Sequence, residues 1–271
     1  MRGFEKLIML LSFLEKMMDT YFALIPRCQP GRELVQAAHV IAHRGAHDHA
    51  HGILENTLAA FRAAEQCGCW GIELDVQVTA DQVLVVNHDL TLTRLWGHKQ
   101  LISQLTFAQL RAQVPAIPTL AEVVAEFGQR LHLFIELKKP FQHEDVLVQV
   151  LHQLRAGDDY HLLTLDAPIF DTLVQVPKHA LLLVAAHNNV AEFCKLSLKE
   201  HYAGVLGHYL LLTTKLARCL KAGQQLVGVG FVDSKYSLYR ELNRGISWIF
   251  TNRAVRVSPY LQSLQTRTKV H

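Results

Sequence analysis

The chain has 271 residues, half of them apolar, with 27 basic and 24 acidic side chains for a formal charge of +3. That length suits one large domain or two small ones with a sizeable core, and so balanced a charge argues against a nucleic-acid partner. The five cysteines have no metal-finger spacing and give no disulfide framework, and Cys67-Gly-Cys69 at a helix end reads as plain buried thiols. Reduced thiols and the lack of an export signal lead us to expect the cytoplasm.

Residues 4–25 place Leu7, Leu10, Leu11, Leu14, Met17, Met18 and Phe22 at helical spacing. The uninterrupted apolar run, Leu7 to Leu11, is too short to span a bilayer, and Glu15, Lys16 and Asp19 break the segment beyond it. The segment reads as an amphipathic helix docked on the main domain or making a homodimer contact. The competing reading, a helix lying at the inner face of a membrane, is weaker because its polar face is not strongly basic. Pro26 and Pro30-Gly31 end it. We therefore set residues 1–37 apart as helix and connector, and 38–271 as one domain.

From His39 the pattern alternates. A strand over 38–45 is followed by a helix over 55–68 that begins near Glu55 or Asn56 and ends at Gly68. Next, GIELDVQV and VLVVNHD (71–78 and 83–89) read as two strands joined by a polar turn. A polar connection over 95–117 contains a short helix, and a second helix comes after it with Thr119 as N-cap. Strand LHLFIELKK (131–139) leads to a helix over 143–157. The strands at 160–166 and 180–186 flank a helix over 168–176; strands at 203–207, 225–231 and 246–252 then alternate with helices to the end. About eight strands alternating with helices mean a parallel sheet, and the length fits a closed (β/α)8 TIM barrel, an α/β fold, with the N-terminal helix as an addition.

In such a barrel chemistry sits where strands end. Glu73 and Asp75 lie at i and i+2, so a pleated strand points both carboxylates to one face while Ile72, Leu74 and Val76 point away. Two carboxylates on an apolar strand need a positive partner, either a metal ion or basic side chains. The first three strands also supply His43-Arg44-Gly45, His88-Asp89, and Glu136 with Lys138; Asp233 and Thr251-Asn252 end the last two. Three carboxylates, two histidines, an arginine and a lysine converging on one rim mark a site. Other histidines remain outside this set. His47, His49 and His51 at i, i+2 spacing would chelate a transition metal on an extended loop, although a solvated loop over the site mouth is the preferred reading. His208, just after a strand, is the one scattered histidine in reach of the rim.

The ordered set His43-Arg44-Gly45, Glu55-Asn56-Thr57, Glu73-Leu74-Asp75, His88-Asp89 and Glu136-Leu137-Lys138 resembles the glycerophosphodiester phosphodiesterase family, over roughly His39 to Arg256. The resemblance implies a (β/α)8 barrel that binds one divalent cation and hydrolyses glycerophosphodiesters to glycerol 3-phosphate and an alcohol. It implies Glu73, Asp75 and Glu136 as metal ligands, His43 and His88 as the catalytic pair, and Arg44 and Lys138 facing the phosphate, with Glu55 and Asn56 in support. By similarity to related phosphodiesterase barrels, His43 is taken as base and His88 as acid. An all-carboxylate ligand set suits a hard cation, Mg²⁺ or Ca²⁺.

Some positions depart from the family pattern. Leu54 stands where a proline is usual, and Gly228-Val229-Gly230-Phe231-Val232-Asp233 replaces a strand that often carries tryptophan and asparagine. Phe231 is expected to supply the aromatic wall of the substrate pocket and Asp233 its polar group. These changes open two alternatives: a lysophospholipase D-type activity that retains the alkyl chain at a membrane, and a barrel that binds phosphodiesters or lipid head groups without turnover.

Overall fold

A computed structural model of the chain describes residues 17–18, 20–185 and 189–267. Its strands track the apolar runs of the sequence: β1 (His39–Ala42), β2 (Gly71–Val78), β3 (Leu84–Val86), β4 (His132–Leu137), β5 (Tyr160–Thr164), β6 (Leu181–Ala185), β7 (Gly204–His208), β8 (Leu226–Gly230) and β9 (Trp248–Thr251). All but β3 pair in parallel, and β1 closes the ring by pairing with both β9 and β2. The closed eight-stranded barrel expected from the alternation is what forms. The helices are α1 (Arg32–Gln36), α2 (Leu58–Gln66), α3 (Thr93–Trp96), α4 (Phe107–Gln113), α5 (Leu120–Phe127), α6 (Glu144–Leu151), α7 (Pro168–Asp171), α8 (Val190–Glu200), α9 (Thr214–Ala222), α10 (Lys235–Asn243) and α11 (Ala254–Arg267).

The core has three parts. Outward-facing strand residues, among them Ile72, Leu74 and Val76, pack under the helices. Ile41, Phe134, Leu163, Leu182, Trp248 and Phe250 fill the barrel interior. At the interior's lower end His132 and His161 join them: His132 Nδ1 donates to the Asp158 carbonyl at 2.9 Å, so its Nε2 accepts from His161 Nδ1 at 2.8 Å. Burial holds both imidazoles neutral, with pKa values lowered to about 4 and about 3. The third part lies outside the barrel. β3 runs antiparallel to β2, and the segment after it closes over Val85, Leu92, Ile102, Leu110 and Ile117 as a small separate core. The strand expected over 83–89 stops at Val86, so His88 and Asp89 lie just beyond it, at the start of this arm.

Several boundaries differ from expectation. The helix after β1 starts at Leu58 with Thr57 as its cap, leaving Glu55 and Asn56 in the preceding loop. The expected helices over 143–157 and 168–176 end early, at Leu151 and Asp171. Residues 20–24 are helical, and Phe22 packs against Tyr209 (5.9 Å between rings) and under the Arg240 guanidinium (4.6 Å). Most of the amphipathic segment, and with it the dimer and membrane readings, lies outside the described residues. No helix among the described residues is long and apolar enough to cross a membrane.

Candidate active site

β2 and β4 lie side by side with Asp75 opposite Glu136, and their pleat turns Glu73, Asp75 and Glu136 into the barrel mouth. One carboxylate oxygen from each lies within 4.8 Å of the others, and all three side chains are buried. Like charges out of water cannot all ionise unaided. Burial and the neighbouring carboxylates push Glu73 well above the usual range, and burial beside Asp75 also raises Glu136. Burial opposes Asp75 too, but Lys138 and Arg44 outweigh it and hold its pKa at about 2. Lys138 Nζ bridges Asp75 Oδ1, at 2.6 Å, to Glu136. Glu73 Oε1 is buried without a hydrogen-bond partner among the described residues. An orphaned buried oxygen beside two further carboxylates fits a hard dication held by oxygen ligands.

The turn after β1 delivers the next two groups. Arg44 and Asn56 both adopt left-handed backbone conformations, at φ 56° and 58°. Gly45, also left-handed, lies so close to Ala60 that a Cβ would sit 2.7 Å from the Ala60 methyl carbon. This tight turn aims the Arg44 amide at Glu73 Oε2 (3.0 Å) and its guanidinium at Glu55 Oε1 (2.9 Å) and Asp75 Oδ2 (3.3 Å). Asn56 Nδ2 donates to Asp75 Oδ2 at 2.8 Å. Glu55 and Asn56 therefore brace Arg44 and Asp75.

Each rim histidine is oriented through Nδ1. His43 Nδ1 lies 2.7 Å from Asn252 Oδ1, which leaves Nε2 facing Glu73 Oε2 at 3.7 Å. Burial and the Arg44 charge lower the His43 pKa to about 4. His88 Nδ1 lies 2.7 Å from Asp89 Oδ1, and Arg94 ties that carboxylate (2.6 Å) to Glu55 (2.6 Å). Burial lowers the His88 pKa as well, opposed by Asp75 and Asp89.

These groups border a cavity of about 350 Å³ whose far wall is apolar, built from Leu163, Leu165, Val184, Leu206, Phe231 and Phe250. Phe231 packs on His43 with 4.6 Å between rings, and His208 reaches the rim as anticipated. Asp233 does not take the expected place in the pocket. Its Oδ1 accepts from Thr251 Oγ1 (2.7 Å) and the Asn252 amide (2.9 Å), so it steadies the residue that orients His43. Asn252 and Arg94 had no assigned role in the sequence. Asn252 was within reach of inference, because barrel closure brings the end of β9 beside that of β1. Arg94 sits in TLTRLW, where no pattern marks it.

A closed (β/α)8 barrel with an acidic, imidazole-flanked pocket at the carboxyl ends of its strands has the anatomy of the TIM-barrel enzymes. Residues 43–166 match the glycerophosphoryl diester phosphodiesterase family. It is 36% identical over 133 residues to the human glycerophosphodiester phosphodiesterase 1, an alignment that covers 43% of this chain and 39% of the relative. The bovine counterpart is 40% identical over 112 residues, 36% of this chain and 33% of that one. The alignments thus span no more than about two fifths of these relatives. A Bacillus altitudinis glycerophosphodiester phosphodiesterase aligns at 29% identity over 80% of this chain and 97% of its own length. Two solved structures share the fold at a TM-score of 0.69. They are a Thermotoga maritima glycerophosphodiester phosphodiesterase (23% identical, covering 86% of this chain and 98% of that one) and an Oleispira antarctica phosphodiesterase in complex with the product sn-glycerol-3-phosphate (21%, covering 83% and 96%).

Proposed function

We propose that this chain is a phosphodiester hydrolase that cleaves glycerophosphodiesters to glycerol 3-phosphate and an alcohol. Glu73, Asp75 and Glu136 would hold one divalent cation, Mg²⁺ or Ca²⁺. The observation that carries the reading is the convergence of those three carboxylates, with Arg44 and Lys138 at their side and an oriented imidazole on either flank. The names borne by the relatives and the product in the Oleispira structure support the substrate class.

The cation, when bound, supplies Lewis-acid polarisation of a phosphoryl oxygen. Arg44, a planar donor fork, and Lys138, a point charge, bind the anionic oxygens. His43 holds its proton on Nδ1 against Asn252, so Nε2 carries the lone pair and takes a proton from the attacking oxygen, either water or the glycerol 2-hydroxyl. Asp89 accepts the Nδ1 proton of His88 and favours its imidazolium, so Nε2–H of His88 protonates the departing alkoxide. Phe231 and the apolar wall exclude water from the alcohol side.

That wall also favours a second reading, a lysophospholipase D-type activity, because Leu165 and Phe231 stand 41% and 38% exposed at the mouth where an alkyl chain would lie. One experiment separates the readings. Release of glycerol 3-phosphate from glycerophosphoethanolamine and glycerophosphocholine is measured on metal-stripped protein, then with Mg²⁺ or Ca²⁺ restored, beside Glu73→Ala/Asp75→Ala. We expect metal-dependent product that vanishes in the variant. Lysophospholipids are assayed beside them by release of the head-group alcohol; their turnover alone moves the assignment to the second reading, and no product from either class leaves a binding barrel.

A further inference from the structure

One further group of metal-ligating side chains converges among the described residues. His47, His49 and Glu55 each bring a ligand atom to within 4.8 Å of the others. The loop that presents them is built rather than loose. The Ala46 amide donates to the Ala60 carbonyl at 2.9 Å, and Asp48 and Ile53 exchange backbone hydrogen bonds at 2.8 and 2.9 Å. Asp48 caps the short turn His49–His51, and Gly52 closes it in a left-handed conformation. The turn sends His51 to Asp48 at 2.7 Å, away from the cluster. The three-histidine chelate that the spacing offered is therefore not formed; Glu55 stands in the third position.

Two observations point to a ligand there. His47 Nδ1 is buried and makes no hydrogen bond among the described residues, a costly arrangement for a polar atom. His49 Nε2 lies 3.8 Å from Glu55 Oε2, too far for a hydrogen bond. It is near the edge of about 3.3 Å between ligands of a tetrahedral zinc ion with bonds of about 2.0 Å. A cavity of about 570 Å³, lined by His47, His49, Asn252 and Arg253, gives an entry path.

We infer that His47, His49 and Glu55 form a second metal site, for a borderline transition ion of the Zn²⁺ class, with its fourth position open. The site is separate in chemistry from the carboxylate cluster. Arg44 and Arg94 flank Glu55 and repel a dication, so binding depends on the two imidazole nitrogens, and oxygen-seeking Mg²⁺ and Ca²⁺ are poor occupants. Glu55 also connects the site to Arg44. An ion on Oε2 displaces the longer Arg94 contact (3.2 Å), while Arg94 keeps its bond to Asp89, and Glu55 Oε1 loosens its hold on Arg44. Zn²⁺ at this loop would therefore inhibit.

The test titrates metal-stripped native protein and His47→Ala/His49→Ala with Zn²⁺ by calorimetry, with Mg²⁺ saturating, and with Co²⁺ by visible absorption. The native chain should bind one equivalent that Mg²⁺ does not displace, with the strong bands of four-coordinate Co²⁺. The double variant should lose that equivalent or weaken it at least about a hundredfold, while His51→Ala binds as the native chain does. The double variant should keep its Mg²⁺-dependent turnover and lose inhibition by Zn²⁺. Equal Zn²⁺ binding by native and double-variant proteins, or no Zn²⁺ bound under saturating Mg²⁺, would overturn the site. Both titrations read binding directly, so they decide even if no phosphodiester is turned over.

Discussion

The Asp89 carboxylate is shared between His88 Nδ1 at 2.7 Å and Arg94 Nε at 2.6 Å, so the ring is held in one tautomer and one plane. Asp89→Asn keeps the size and removes the charge. Burial lowers the pKa of His88, and the hydrogen bond to the Asp89 carboxylate raises it; an amide supports the imidazolium less, so the substitution drops that pKa further. An acid that must be protonated then works over a narrower range. The alkaline limb of the kcat profile should move to lower pH, and kcat should fall about 10- to 100-fold, within the span of general acid catalysis. KM should change little. A profile that superimposes on the native one would reduce Asp89 to a structural group. At this scale the sequence was readable where reactive residues sit together, as in His43-Arg44, Glu73-Leu74-Asp75 and Glu136-Leu137-Lys138. It was silent about Arg94, whose partner Glu55 lies 39 residues away and meets it only after the arm has folded.

Elements were legible wherever the signal was local. Thr106 with Gln109 and Thr119 with Glu122 are both reciprocal capping boxes, visible as Thr-x-x-Gln and Thr-x-x-Glu. The two overextended helices fail for non-local reasons. After Asp171 the apolar spacing continues through the buried Leu173 and Val176. The backbone amides of Val174, Gln175 and Val176, however, donate to the Glu144 carboxylate at 2.7 to 3.2 Å, so they need no helix. Likewise Leu154 stays in the core beyond the end of α6. The arm after β3 is a further element with its own energetics. Leu110 is fully buried in its separate core, and Leu110→Ala should cost about 2–5 kcal/mol of arm stability. Hydrogen exchange should quicken across 83–117 and activity should fall, while amides of β4 to β9 keep their protection. Uniform loss of protection would show that arm and barrel unfold together.

On the scale of the molecule, barrel closure and the buried imidazoles set the response to pH. The folded state keeps His132 and His161 neutral, with pKa values lowered to about 4 and about 3, whereas the unfolded chain takes up protons below about 6.5. Their contribution to stability is thus complete above pH 6.5 and is lost as pH falls toward 4. Urea midpoints should drop between pH 7 and pH 5, and His161→Phe should flatten that slope by roughly 2 kcal/mol over the interval. An unchanged slope would remove the pair as its source. The alternation of strands and helices announced the barrel, yet nothing in HLFIEL or YHLLT told that two histidines from adjacent strands would share a proton inside it. Only the register of β4 against β5 does that, with Phe134 opposite His161.

The mouth of the barrel is lopsided. Among the described lining residues the charged groups lie on one half, and the other half, from Leu163 round to Phe250, is apolar apart from His208. On the proposed function, recognition of the leaving alcohol would thereby be divorced from bond breaking. Leu165, Val184 and Leu206 line that half and make no hydrogen bond or ion pair to the carboxylates or to His43 and His88, so exchanging them for larger or smaller residues should change the pocket's shape and leave those groups in place. The clientele of the barrel can then be retooled across a lineage, or at the bench, while the machinery opposite stays as it is.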